Sequence, residues 1–473
     1  MNTVSPPEGM PKLQMSQDSI PDLLKIGSIP SNQEANITTE ILQPVNFSDS
    51  SVRFQLNNQG FLNPYSRFTF SLEQGNGSNA RSFYPLGVGV AALIKNVTLK
   101  IGSQTIQSIS DFPNYTAYKS LFINNEVQKE REAYLSSRQI SHQQFYDDTT
   151  NITVNTENCQ HLVIDNGREY ESNASGATSG IEAYDFQLLV NKPTFSITLE
   201  ELLPMFRNTA FPLYMLNRDM PVQIEIDFND NNKRFCMNGC GTLNQVVEFT
   251  VDRNECRMIA DYTTYPQDLM DAYAAKNKSM NWSFMDYQLT KLSLANSAAG
   301  QNIIRNLGGA GRLVPRAFVG IEMTHASPEE FLLSTYTAEA NASTALAYGE
   351  LTTNIKKNSN FIYPIDRKNT SLHFHSLADA EGMVPFVLRS EYSRQGGRLG
   401  DELFERRHQD TNLEGKFFHV AYKMPDGQRV DSQGLELNSQ MRDLPAGAYT
   451  LRAYIECIKV ATLIDGRFSV YFA

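Results

Sequence analysis

The stretch from Leu93 to Ile109 confines this chain to β architecture. Val97, Leu99 and Ile101 alternate with Thr98 and Lys100, so one face of the segment is apolar and the other polar. That period of two marks a half-buried strand. Gly102-Ser103 supplies turn chemistry, because glycine accepts backbone angles closed to β-branched residues. Gln104 to Ile109 then return alongside, and the spacing predicts a β-hairpin.

The same period recurs along the chain. Ile37–Leu42, Val52–Leu56 and Phe68–Leu72 are short alternating runs, separated by the turn residues 57–60 and 75–78. Phe195–Leu199 alternates, and Glu200–Pro204 reads as one helical turn closed by proline. Pro221–Phe228 is the cleanest strand: Val222, Ile224, Ile226 and Phe228 face one way, Gln223, Glu225 and Asp227 the other. Further strands are expected at Ala317–Met323, at Phe417–Met424, through Ile455, and from Arg467 to Ala473 after the turn Ile464-Asp465-Gly466. Pro425-Asp426-Gly427 is a tight turn. Many short strands at close spacing predict sandwiches rather than βαβ units. Helices are expected on connections: Asp111–Tyr134, where Tyr115, Tyr118, Leu121 and Phe122 recur at helical spacing, Asp268–Lys276 with Leu269, Met270 and Tyr273 on one side, and part of Pro328–Tyr348. Asp147–Gly180 is polar and turn-rich, a long surface loop.

Composition narrows the function. A formal charge of −11 over 473 residues, without Lys/Arg-rich blocks, argues against a nucleic-acid surface as the main business. No apolar run approaches the ~20 residues that span a bilayer. Met1–Pro30 has no apolar core of signal-peptide type and carries five prolines (Pro6, Pro7, Pro11, Pro21, Pro30). It reads as an extended arm of a soluble protein assembled in the cytosol or nucleus. The Asn-x-Ser/Thr triplets at Asn36, Asn96, Asn151, Asn173 and Asn281 are expected to stay unglycosylated in that setting.

The reactive residues form no catalytic set. Cys159, Cys236, Cys240, Cys256 and Cys457 are irregularly spaced, and Cys236–Cys240 has no His pair nearby, so free thiols are expected and no metal. His373-Phe374-His375 puts two imidazoles on one strand face without a third. Gly396–Gly400 lacks the Lys-Ser/Thr that grips phosphate, and Gly308–Gly311 lacks the βαβ setting of a dinucleotide turn. Glu402, Glu405, Arg406, Arg407 and His408 read as a solvated or inter-subunit surface rather than a glycosidase pair. The nucleophile contexts Ser-x-x-Lys and Gly-x-Ser-x-Gly are not found.

Three stretches carry a resemblance. Ala92-Leu93-Ile94-Lys95 before a strand, followed by Ile101-Gly102-Ser103-Gln104-Thr105-Ile106, resembles a signature of the double jelly-roll major capsid proteins of eukaryotic double-stranded DNA viruses. These include the large nucleocytoplasmic DNA viruses, virophages and Polinton-like viruses; Ser103 stands where the family has a second glycine. Phe211–Leu216 with Pro221–Phe228 resembles the end of the family's first jelly roll. Cys256-Arg257-Met258-Ile259-Ala260-Asp261-Tyr262 resembles the opening of its second. The stretch 330–415 has no match of this kind.

The resemblance implies an all-β chain of two tandem eight-stranded jelly rolls, with short helices in connections and long surface loops. It implies an arm over 1–29, a first jelly roll over 30–252 and a second over 253–473. It further implies a structural virion protein and no enzyme, working as a homotrimeric, pseudo-hexagonal capsomer in an icosahedral shell. Expected partners are other copies, neighbouring capsomers, penton and minor capsid proteins, and an inner membrane reached through the arm. No cofactor, small-molecule substrate or specific nucleic acid is expected. Two alternatives remain at this stage. One is a carbohydrate-binding or hydrolytic β-sandwich, which needs an aromatic-lined groove, although Trp282 is the sole tryptophan. The other is a pentameric penton or minor capsid component, which has one jelly roll.

Overall fold

The computed structural model describes residues 35–74, 89–113, 115–116, 164–165, 168–169, 194–207, 210–229, 249–296, 300–323, 350–362, 367–368, 419–424, 428–442 and 447–473. His373, His375, the Gly396–Gly400 loop, the 402–408 charge run, Cys159, Cys236, Cys240 and the arm fall outside them. So do most of the helix expected over Asp111–Tyr134 and nearly all of the loop 147–180.

Eight principal strands build the first half: β1 (Asn36–Leu42), β2 (Ser51–Leu56), β3 (Arg67–Gln74), β4 (Ile94–Ile101), β5 (Gln104–Ser110), β6 (Thr194–Thr198), β7 (Val222–Phe228) and β8 (Arg257–Thr264). They form two antiparallel sheets, ordered β1-β8-β3-β6 and β2-β7-β4-β5. The first strand pairs with the last, and the second with the seventh. Chain ends interleave in both sheets, which is the wrapping of a jelly roll. The expected hairpin is β4–β5, turned at Gly102 with φ +60°. On β7, Val222, Ile224, Ile226 and Phe228 are buried, as the alternation predicts. Its outward Glu225 sits between Lys100 of β4 at 2.7 Å and Arg53 of β2 at 3.2 Å. The hydrogen bond from Lys100 is the main reason the Glu225 carboxyl titrates below its usual range. Such half-exposed pairs fix register more than they add stability.

The second half repeats the plan. Its strands are β9 (Ser279–Asn296), β10 (Gln301–Gly308), β11 (Arg316–Met323), β12 (Glu350–Lys357), β13 (His419–Lys423), β14 (Leu435–Arg442), β15 (Gly447–Ile464) and β16 (Arg467–Phe472). One sheet is ordered β9-β15-β11-β13, the same alternation as β1-β8-β3-β6. The other is ordered β10-β14-β12. β16 pairs with β15 end to end with β11. The β15–β16 turn is Asp465-Gly466, both at positive φ, a two-residue hairpin of the kind that asks for Asp-Gly. Gly308, which ends β10, and Gly309 and Gly311 in the turn after it, are also at positive φ, in an antiparallel setting.

One expectation is corrected. Arg257–Thr264 does not open the second jelly roll; it closes the first. Its register runs Met258↔Leu42 on one side and Met258↔Phe68 on the other, so it is the central partner of β1 and β3. The division between sandwiches therefore falls within 265–278, not at 252/253. Alternation reveals which face of a strand is buried but is silent on the strand beside it. The stretch holds helix α1 (Gln267–Lys276), whose Asp268 and Lys276 suit the two ends of its dipole.

Candidate assembly site: the seam between the sandwiches and an open strand edge

The sheet β9-β15-β11 is covered on both faces. Tyr449, Leu451, Ala453, Ile455 and Cys457 of β15 pack into the core of the second sandwich. The opposite face presents Arg452, Tyr454 and Glu456, and these are buried as well. Tyr454 joins Phe284, Tyr287, Phe318, Leu463 and Phe468 in one apolar cluster with the core of the first sandwich. The first core thus runs without a break into the junction, and the two sandwiches share a packed seam.

Apolar packing alone would leave the sliding angle between two sheets loosely set; polar groups fix it here. Gln107 on β5 is fully buried. Its side-chain oxygen accepts the Met205 N–H at 3.0 Å. Its amide donates to the Met285 carbonyl at 2.8 Å and to the Asp286 carboxylate at 3.2 Å, both on β9. Lys459 of β15 pairs with Asp286 at 2.8 Å and donates to the Ile106 carbonyl at 3.0 Å. Asp111, just past β5 and held at φ +55°, accepts from Arg452 at 2.6 Å, while its carbonyl accepts from the Tyr454 hydroxyl at 2.9 Å. Lys291 lies 3.8 Å from the same carboxylate. Buried donors and acceptors left unmatched are costly, so sliding one sandwich on the other would break these matches and is opposed.

Behind this line, Tyr115 of the first sandwich stacks edge-on against Tyr287 at 4.8 Å between ring centres. The Tyr287 hydroxyl donates to Glu456 at 2.6 Å, and Arg316 of β11 donates to the same carboxylate. Glu456 is fully buried. Burial, and then the Glu456 charge, push the Tyr287 phenol well above its usual range. The lower end of the seam is aromatic: Phe211, Trp282 and Phe468 meet with centroids 5.6–5.7 Å apart.

The β15–β16 turn completes that end. The Asn217 N–H donates to the Gly466 carbonyl at 2.9 Å. A Cβ on Gly466 would stand 2.2 Å from Asn217 Oδ1, and φ is +79°. Gly466→Ala is therefore expected to lower the stability of the chain by about 1–3 kcal/mol. Asn217→Ala in the same background should return the clash part and leave the backbone part. Thermal melting of wild type, Gly466→Ala and the double variant checks this; an unchanged melting point for Gly466→Ala would contradict it.

Among the described residues, β1 lies at a sheet margin that is open and apolar. β1 pairs only with β8. Ile37 and Ile41 are 67% and 57% exposed, and Val45 just beyond is 65% exposed. Glu40 is turned back, accepting from Asn57 at 2.7 Å and Gln59 at 2.6 Å.

Apart from Phe211 and the Asp465-Gly466 turn, none of the seam residues stands out by motif. The trace left in the sequence is charge inside an otherwise apolar run, Leu451-Arg452-Ala453-Tyr454-Ile455-Glu456-Cys457. Of the cysteines, Cys256 and Cys457 are buried free thiols, each pushed up in pKa first by burial, Cys256 to about 12. Nothing in this arrangement converges on a reacting atom; its chemistry is that of holding two bodies at one angle.

No family model and no curated protein matches the chain. Solved structures do. The PBCV-1 virus capsid quasi-atomic model is similar over 93% of this chain and 97% of its own, with TM-score 0.53 and 12% identity. The crystal structure of PBCV-1 VP54, fitted into a reconstruction of the virophage Sputnik, is similar over 93% and 98%, with TM-score 0.54 and 13% identity. The likeness spans both sandwiches, and the fold is a double jelly roll.

Proposed function

We propose that this chain is a major capsid protein, three copies of which form a pseudo-hexagonal capsomer that tiles an icosahedral virus shell. The observation that carries the reading is the duplication itself: two jelly rolls of one plan, locked by a buried seam. Two wedges per chain and three chains per ring put six wedges around one axis. Such a body meets its neighbours through repeated, nearly equivalent edges, and the tiling closes. Lateral contacts that are weak singly gain strength by repetition. Support also comes from the fold-mates, which bear the names of a PBCV-1 capsid and its VP54 protein. A penton component with one jelly roll fits the duplicated fold poorly. The remaining partners in this reading are penton and minor capsid proteins, and an inner membrane approached by the arm. In this reading the protein is not an enzyme; its work is geometric.

Light scattering of the purified chain should give three times its 53.2 kDa. Removing residues 1–30 should leave that mass unchanged and abolish closed shells. A deletion that dissolves the trimer would contradict the role given to the arm. A wild-type chain that stays monomeric would contradict the reading as a whole.

A further inference from the structure

We infer that the outer edge of β1 is a receptor for residues 22–29 of a second copy, which add to it as a further strand; this rests on the capsid reading and names the contact the arm makes. Natural sheets guard their edges with Lys, Pro, bulges or inward charges. β1 reads Asn36-Ile37-Thr38-Thr39-Glu40-Ile41-Leu42, without Lys or Pro, and its one charge is engaged by Asn57 and Gln59. Ile37 and Ile41 fall on one face with Thr39, whose hydroxyl donates to Asp261 at 2.6 Å. On that face the paired strand adds Ile259, opposite Ile41. An edge so bare, seven residues long, is made to be covered.

The occupant is the chain's own sequence. Thirty-five residues precede β1, and one stretch of them is fit for a strand: Asp22-Leu23-Leu24-Lys25-Ile26-Gly27-Ser28-Ile29, bounded by Pro21 and Pro30. Proline removes a ladder donor and ends pairing, so the bounds define an insert matching β1 in length. Leu24 and Ile26 share a face, and with that face laid over Ile37 and Ile41, Lys25 falls on the opposite face, the side of Glu40. Pro30 holds its own φ near −65° and keeps Ile29 extended. The link between this stretch and β1 is six residues, 30–35, which span about 20 Å when extended; that length serves an edge on another copy as well as its own, and the mixing arm of the test separates the two. Main-chain hydrogen bonds would provide the affinity, as in strand addition generally.

The test uses the full chain and two variants: an internal deletion of 22–29, and Ile37→Lys with Ile41→Lys, whose exposure lets both be replaced without disturbing the core. Amide exchange at residues 36–42 should be at least tenfold slower in wild-type shells than in free trimers. Each variant alone should form trimers but no shells. Mixed, they should complement, because arms of the second can enter edges of the first, and protection should return at β1 of the deletion chain only. Shells from the deletion variant with β1 still protected would overturn the inference, as would failure of the mixture to recover any protection. If wild type itself makes no trimers, the capsid reading fails first, and that pattern differs from either.

Discussion

Arg316→Met should lower the unfolding free energy by ~3–5 kcal/mol, because it strands the Glu456 carboxylate in the seam without its guanidinium partner. Glu456 is fully buried on β15 and is held by Arg316 and by the Tyr287 hydroxyl at 2.6 Å. A buried ion pair is weak evidence for stability when compared with apolar packing, yet breaking it from one side is costly. The two halves of that statement make separate predictions. Arg316→Met with Glu456→Leu should recover much of the loss, because the second change removes the stranded charge. The coupling between the two, read from urea denaturation of the four proteins, should be large and favourable. If Arg316→Met and the double variant fall by the same amount, the cost lies in packing around Arg316 and not in the charge.

Phe468→Ala should cost about 3–5 kcal/mol by opening a cavity where the two sandwiches meet. The ring is 3% exposed and lies 5.7 Å from Phe211 and 5.6 Å from Trp282. Phe211 belongs to the first sandwich, Trp282 and Phe468 to the second, so the loss loosens the seam directly. Trp282 is the sole tryptophan, which makes its emission a reporter of this junction. The variant should emit to the red of wild type before any global unfolding, and protease should cut faster within 265–278. Wild-type emission combined with lowered stability would mean that the cavity collapsed without opening the seam.

Much of the fold was legible where one face of a strand meets water. β4 and β7 alternate cleanly because each has a buried and a solvated side; on β5 the period breaks at Ile106-Gln107, both buried. The Asp465-Gly466 turn was legible because few residues accept its backbone angles. The one-turn helix before Pro204 was likewise visible, and it forms over Leu199–Leu202. What failed was partnership. Arg257–Thr264 looks the same whether it opens one sandwich or closes another, since its pattern reports burial and not neighbours. β15 was legible as a strand through Ile455 but not in its length: both its faces are covered, so the period of two fades, and the strand runs 18 residues, on to Ile464. The seam residues come from β5, β9, β11, β15 and β16, and from Met205 and Phe211 between β6 and β7, distant in sequence and joined only by the fold. Gln107 carries no local signal, and Glu456 shows itself only as a charge where the apolar pattern has no place for one.

The most direct test is the shape of the purified protein in single-particle images. The account predicts a three-fold particle of hexagonal outline, with two jelly-roll wedges per chain held at one fixed angle. A five-fold ring, or single chains whose two sandwiches take many relative orientations, would contradict it.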